Sequence, residues 1–545
     1  MAQVRWAQDA VIYEVYVRSF ADSDGDGQGD LAGVASRLDY LVDLGVDAIW
    51  LTPFYRSPMA DGGYDVADYR DVDPRFGTLA DFDKLLVDAH ERDLRVIIDI
   101  VPNHCSDQHA WFQAALAAGP GSPERELFHF RRGRNALAAG PGGDGGEAPP
   151  NNWQSIFRGP AWTRLPDGDW YLHLFAPEQP DLNWDHPVVR AEFADILRFW
   201  LDRGVDGVRI DVAHGLVKAP GLPDAPGPGA AILVGDENPY FDQDGVHDIY
   251  RSWRSILDAY VPERIAVAEA WVHDLARMAR YVRPDELHQS FNFGFLGAPW
   301  QGPECRRIID SSLSAMESVG APTTWVLSNH DVIRQASRLA TVAEGSGHGG
   351  AGDEVAVGLR RARAAIMLML ALPGSVYLYQ GEELGLPEVF DLPADARQDP
   401  IFSRTGGKEL GRDGCRVPLP WSGTQPPYGF GPDGSTPWLP QPPLWSEMSV
   451  AAQQTDPDST LSLYRTAMQL RRGLFHPQGL TWLSDKDADV LVFERPGRDG
   501  RMVRCAVNQS TTAVDLPGRP LLASGPLTGD ELPPDTAVWW VVDLA

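Results

Sequence analysis

Two hydrophobic periods trade places along this chain. Short runs rich in β-branched and aromatic residues, the pattern of buried strands, occur at 11–17, 48–54, 95–103, 207–213, 264–271, 288–293, 323–331 and 375–381. Between them, apolar residues recur at helical spacing, as in DLAGVASRLDYLVDLG, TLADFDKLLVDAHERD, VVRAEFADILRFWLDRG and EVAVGLRRARAAIMLMLALP. Asp30, Thr78 and Asp185 stand before such stretches as N-cap or pre-helix residues, and Gly45 and Gly204 follow them as stops. Eight strand–helix alternations predict an α/β fold closed as a (β/α)₈ TIM barrel, although the count alone leaves a doubly wound sheet open.

Two segments interrupt the repeat. Residues 105–175, after the third strand, are rich in Gly, Pro, Trp and Phe and read as an inserted subdomain B; their tract NALAAGPGGDGGEAPPNNW predicts flexibility. Trp153 and Trp162 read as core of that insert. Residues 386–455, after the eighth strand, form a long Pro- and Gly-rich loop region. On a barrel, irregular segments of this length shape a cleft. Residues 1–104 and 176–475 make up the barrel, and 476–545 turn to short alternating strands, read as a C-terminal all-β domain of sandwich type.

Chemistry on a parallel barrel collects at the C-terminal strand ends. Those ends carry Asp99, Asn103 and His104 on the third strand, and Arg209 and Asp211 on the fourth. Glu269 ends the fifth, and His330 and Asp331 end the seventh. Arg209 and Asp211 are two residues apart, so they share a strand face, and the guanidinium is expected to keep Asp211 ionised. As a nucleophile, Asp211 requires that; for this stretch alone a structural ion pair is an equal reading. Glu269 stands in the apolar run AVAEAW, where desolvation is expected to raise its pKa towards that of a general acid. Paired carboxylates in a cleft are the machinery of glycoside hydrolysis. Asp99 and Asn103 read as scaffold.

Composition narrows the partners. With 43% hydrophobic and 23% charged residues the chain reads as an ordinary globular protein. A net charge of −29 excludes phosphate-backbone and anionic-membrane binding, so neither nucleic acid nor membrane is expected. The apolar run AAIMLMLALP is broken by Pro373, and no signal peptide is visible, so a cytoplasmic location is expected. Four dispersed cysteines without CxxC spacing read as buried free thiols. The stretch DSDGDGQGD places Asp22, Asp24, Asp26, Asp30 and the Gln28 carbonyl as oxygen donors for a hard cation. Structural Ca²⁺ is the expectation, with Mg²⁺ as the other candidate and a solvated acidic turn as the competing reading.

The runs DIVPNH, GVRIDVAH, AEAW and SNHD, in this order, resemble the signature regions of the α-amylase superfamily of glycoside hydrolases. DGGYDVADY, QPDLNW and GRDGCRVPLPW resemble its α-glucosidase and oligo-1,6-glucosidase branch, and the likeness runs from residue 11 to about 475. The acidic loop after the first strand resembles the metal loop of that branch. The resemblance implies Asp211 as nucleophile, Glu269 as acid/base and Asp331 as transition-state stabiliser. It implies that His104, Arg209 and His330 hold the hydroxyls of the glucosyl unit, that Tyr64 stacks on it and that Phe175 walls it. Asp61 would pair with Arg412, or with Arg416 in its place, and close the cleft into a blind pocket; Asp65 would be structural.

The implied activity is a retaining exo-α-glucosidase acting on short gluco-oligosaccharides, as a monomer or homodimer. A trehalose synthase-like isomerase or transglucosylase is the alternative. Val212 after the nucleophile matches branch members that tolerate α-1,6 links, whereas His214 and AEAW depart from them. These features put α-1,4 linkages slightly ahead of α-1,6.

Overall fold

Strands β1 (Val11–Val15), β2 (Ala48–Leu51), β3 (Arg95–Ile100), β4 (Gly207–Ile210), β5 (Ile265–Ala268), β6 (Gln289–Ser290), β7 (Thr324–Val326) and β8 (Ser375–Tyr379) form one parallel sheet. Its order is β6-β5-β4-β3-β2-β1-β8-β7. A parallel bridge between Phe291 and Thr324 joins the two outer strands and closes the barrel. The computed structural model describes residues 6–135, 147–227, 238–340, 352–516 and 518–542.

Alternation along the strands explains the two-layered core. Ile12, Ala48, Trp50, Ile97, Ile265, Val267, Val326 and Tyr377 fill the barrel interior as one apolar cluster. Their sequence neighbours Val11, Tyr13, Ile49, Val96, Ile98, Ala266 and Val376 face outward into the larger cluster beneath the helices. Gly207 leaves room for its neighbour strand: a Cβ there would come within 2.6 Å of the Ile265 side chain. The outer layer includes α1 (Leu79–His90), α2 (Pro187–Arg203), α3 (Val246–Leu257), α4 (Gly302–Val319) and α5 (Gly352–Ala371).

Helix boundaries follow local chemistry. Thr78 and Asp81 form a reciprocal capping box on α1, and Asp30 caps the short helix Leu31–Ala35 through the Gly33 N–H. Gly45 and Gly204 end their helices in the left-handed conformation, at φ of 97° and 108°. Asp185 is not the cap of α2. His186 takes that place, because Pro187 fits the first helical position and sets the start one residue later. The expected sixth and seventh strands are also shorter than their apolar runs. Beyond Ser290 and Val326 the chain bends into loops that carry side chains to the barrel mouth.

After β3 the chain forms the helix Ala110–Ala118 and a three-stranded antiparallel sheet of Phe130–Arg132, Asp169–Leu172 and Trp162–Arg164. Trp153 and Trp162 are buried with Phe157, Phe175 and Tyr240, as core. The glycine-rich tract expected to be flexible lies largely outside the described residues, at 136–146. At the C-terminal end, a five-stranded antiparallel sheet with Met502–Asn508 at its centre packs on α5, beside a two-stranded sheet. All four cysteines are free and buried. Among the described residues, no helix is long and apolar enough to cross a membrane.

Candidate active site

The alternation that fills the barrel with Ile12, Ile97 and Val267 places Glu14, Asp99 and Glu269 one inward step higher, at the mouth. Arg209 of β4 lies in register with Asp99 on one side and Val267 on the other. Its side chain is 1% exposed and serves three carboxylates. Nη1 donates to Asp99 Oδ1 at 2.8 Å and to Asp211 Oδ1 at 2.6 Å, and Nη2 meets Glu269 Oε2 at 2.8 Å. Asp99 also accepts from the Tyr64 hydroxyl at 2.9 Å.

One cation among three buried acids sets the protonation of this wall. Burial pushes Asp211 well above the usual carboxylate range; Arg209 opposes the rise, and Glu269 and Asp99 add to it. Asp99 is pushed up to about 7 by burial, against the pull of Arg209. The expectation of a depressed Asp211 is therefore corrected: burial, with the charges of Glu269 and Asp99, outweighs the shared Arg209.

The frame around Glu269 is only partly apolar. Ala266 and Ala268 face the helices, whereas Glu269 faces the cleft. There Oε2 takes the Val212 N–H at 2.9 Å besides Arg209, and Oε1 takes Trp271 Nε1 at 2.9 Å. Val212 adopts φ 43°, a costly conformation for a β-branched residue. The tight turn aims its N–H at the acid.

The opposite wall is built the other way round. Asp331 Oδ1 receives Arg412 Nη1 at 3.1 Å and Arg416 Nη2 at 2.8 Å. Burial alone would raise Asp331; the neighbouring His330, then Arg412 and Arg416, outweigh it and hold the group below the usual carboxylate range. Arg412 Nη2 also reaches Asp61 Oδ1 at 2.5 Å, and its Nε binds Asp399. Arg416 is thus no substitute for Arg412; it holds Asp331. Asp65 accepts the N–H groups of Ala60 and Asp61 and fixes that turn.

Asp61, Tyr64, His104, Phe175, Asp211, Glu269, Asp331 and Arg412 line one cavity of about 720 Å³. Burial pushes His104 down to about 4, so the ring is neutral near pH 7. Asn103 Nδ2 lies 3.1 Å from its Nδ1 and assigns the proton to Nε2. Arg209 and His330, expected to touch sugar, stand behind this wall. Arg209 Nη1 and Nη2 serve the three acids and His330 Nδ1 meets Glu14, whereas Arg209 Nε and His330 Nε2 are buried without a hydrogen-bond partner, Asp331 lying 3.3 Å from Nε2. Burial pushes His330 well below its usual range, so it orients its neighbours as a neutral ring, stacked 5.2 Å from Tyr64.

The family profile described as alpha amylase, catalytic domain, matches residues 14–475. The chain belongs to the α-amylase family. Among its curated relatives, an oligo-1,6-glucosidase of Parageobacillus thermoglucosidasius is 34% identical over 86% of this chain and 84% of its own. A probable α-glucosidase of Rhizobium meliloti (strain 1021) is 38% identical over 86% of this chain and 82% of its own. The crystal structure of the α-glucosyl transfer enzyme XgtA superposes with a TM-score of 0.83 at 35% identity, covering 99% of this chain and 100% of that one. The protein is accordingly a glycoside hydrolase of the α-amylase family with the barrel of its relatives.

Four residues of this α-amylase-family site escaped sequence reasoning. Glu14, which holds His330, left a signal: it is the one charge in the buried run VIYEVYV. Gln179, which donates to Asp61 at 3.0 Å, lies inside QPDLNW. Trp271 closes the AEAW run, yet nothing in the run says that its N–H points back. Asp399, which braces Arg412, sits in aperiodic sequence and left none.

The loop after β1 gathers Asp22, Asp24 and Asp30, with one oxygen of each within 4.8 Å of the others. Among the described residues, none of the three forms an ion pair, so the chemistry of the set fits a hard cation. Gly27 lets the loop wrap closely: a Cβ there would lie 2.1 Å from the Thr436 carbonyl oxygen. Asp26, predicted as a ligand, lies outside the cluster. It is exposed and accepts the Gln28 N–H at 2.8 Å, while the Gln28 side chain takes Arg18 Nε.

Proposed function

We propose that the protein is a retaining, exo-acting α-glucosidase that releases the terminal non-reducing glucose of short α-1,4- and, second, α-1,6-linked gluco-oligosaccharides. The observation that carries this reading is the pairing of Asp211 and Glu269 through one guanidinium. Two nitrogens of Arg209 hold both carboxyls close together, as a covalent double displacement requires. In the first step Asp211 attacks the anomeric carbon while Glu269 protonates the leaving oxygen. In the second, Glu269 takes a proton from water as that water attacks the glucosyl ester. Asp331, kept anionic, faces the positive charge that develops on the ring.

The Asp61–Arg412 pair, braced by Asp399 and Gln179, supports a closed inner end, hence removal of single glucose units. A transglucosylase or isomerase is the second reading, supported by the likeness to an α-glucosyl transfer enzyme. It differs only in which hydroxyl attacks the ester. Ca²⁺, or Mg²⁺ in its place, is proposed for Asp22, Asp24 and Asp30, where it would neutralise the loop and take no part in the chemistry. The buried free thiols fit work in a reducing cytoplasm.

Incubation with 5-fluoro-α-glucosyl fluoride followed by peptide mass spectrometry tests the assignment. The expected result is one glycosyl adduct on the peptide containing Asp211. An adduct elsewhere, or steady turnover with no adduct, overturns it.

A further inference from the structure

At the opposite end of the barrel, where β1 begins at Val11 and β3 at Arg95, lies a second cavity of about 280 Å³. The barrel floor, the helix Thr460–Leu474 and the C-terminal sheet meet there. Five guanidiniums line it: Arg95, Arg471, Arg472, Arg495 and Arg498. The two acids among them are already paired, Asp9 with Arg498 at 3.0 Å and Asp47 with Arg472 at 2.7 Å. Arg471 and Arg495 are 6% and 1% exposed, and neither meets a carboxylate among the described residues. They donate to carbonyls instead: Arg471 to Leu372 at 3.0 Å and Gly374 at 2.5 Å, Arg495 to Ala371 at 2.9 Å and Gly479 at 3.0 Å. Burial pushes Arg471 down to about 10 and Arg495 well below the usual guanidinium range. The Arg95 guanidinium lies over the Trp6 ring, 4.7 Å from its centre, and makes no hydrogen bond or ion pair among the described residues. Trp6 Nε1, on the same cavity, is buried without a hydrogen-bond partner among them.

Carbonyls satisfy donors without cancelling a charge. The C-terminus of α5 supplies about half an elementary negative charge, against three guanidiniums that have no acid. The whole chain carries −29, so its field repels anions, and this excess of cations is local. Cations buried without a counter-charge are costly, and an anion placed among them offsets that cost. A phosphate group suits the space: it is compact, and its several oxygens accept from guanidinium forks approaching from different sides. We propose that this cavity binds a phosphate group, as the free ion or as a small phosphate monoester, with Arg95 and Trp6 Nε1 as donors and Arg471 and Arg495 as the positive field behind it. Bound there, the group ties the barrel floor to the C-terminal sheet and stabilises their junction. It lies at the far end of the strands from Asp211 and Glu269 and takes no part in their chemistry.

The test is calorimetric titration of the purified full-length chain with inorganic phosphate and, separately, with glycerol 3-phosphate, at an ionic strength held constant with chloride. One saturable site is expected, with a melting temperature that rises by a few degrees as it fills. Arg95→Gln is expected to weaken binding at least about tenfold, the scale of a lost charge-assisted hydrogen bond. Trp6→Phe, which keeps the ring and removes the N–H, is expected to weaken it several-fold. Both variants are expected to keep the unmodified chain's kcat on maltose. Tighter binding of the ester makes a monoester the occupant, and equal or weaker binding makes it the free ion. No saturable heat and no melting shift with either probe overturns the inference. So does an affinity that neither variant weakens, since the phosphate then binds elsewhere.

Discussion

The two walls of the cleft invert one ratio. On the nucleophile's side, one guanidinium serves Asp99, Asp211 and Glu269; on the other, two guanidiniums converge on Asp331. All these acids are buried, yet Asp211 is pushed up and Asp331 is held down. Burial alone therefore does not decide protonation; the groups set around each acid do as well. The two walls thus differ in charge: burial raises Asp211 on one side, and Asp331 stays anionic on the other, where the proposed mechanism places the developing positive charge.

The comparison breaks most completely where the nucleophile is removed. Asp211→Asn is expected to lower kcat on maltose on the order of 10⁴-fold, since groups acting as a unit lose nearly everything singly. Glucose release by a coupled assay checks it. Arg209→Met strips the crowded wall of the guanidinium its three acids share. Three buried carboxylates left without a neutralising cation are expected to cost about 3–5 kcal/mol, read as a lower denaturation midpoint. An unchanged midpoint would mean that Arg209 does not hold this wall together.

Arg412→Ala attacks the other side, removing one of the two cations and the partner of Asp61. A fall of about 10²-fold in kcat/KM for maltose is expected from the loosened glucosyl site.

Asp99→Asn sharpens the contrast with a smaller effect. The Asp99 charge helps to raise Asp211, so removing it lowers the Asp211 pKa. The acid limb of kcat/KM against pH, which tracks ionisation of Asp211 in the free enzyme, is then expected to move to lower pH. A shift upward would contradict the shared-cation account.

The Asp22, Asp24 and Asp30 cluster extends the comparison to acids that form no ion pair among the described residues. Chelation with EDTA is expected to lower the melting temperature by a few degrees, the scale on which loss of a bound ion acts. The specific activity of the protein that remains folded is expected to be unchanged. Differential scanning calorimetry with and without added Ca²⁺ decides this.

Much of the barrel was legible because each strand is an apolar run with a hydrophilic end, and the eight runs survive as eight strands in one sheet. The strand ends likewise announced Asp211, Glu269 and Asp331. Sequence could not show how many acids share Arg209, because Asp99 lies 110 residues away and meets it only through strand register. Nor could AVAEAW reveal that its alanines and its glutamate point to opposite sides of the sheet. Asp399 and Gln179 reach the Asp61–Arg412 pair from irregular segments, where neither period offers a handle. Asp26 marks the limit of reading acids by spacing: the loop turns it outward while its neighbours converge.

The central claim is double displacement on Asp211 with the Glu269 proton, and its most direct test is the first sugar released. A proton NMR time course with maltose is expected to show α-glucose at the earliest points, with β-glucose growing only through mutarotation. Early β-glucose would mean inversion and contradict the assigned roles. Accumulating trehalose would retain the nucleophile but replace hydrolysis with isomerisation.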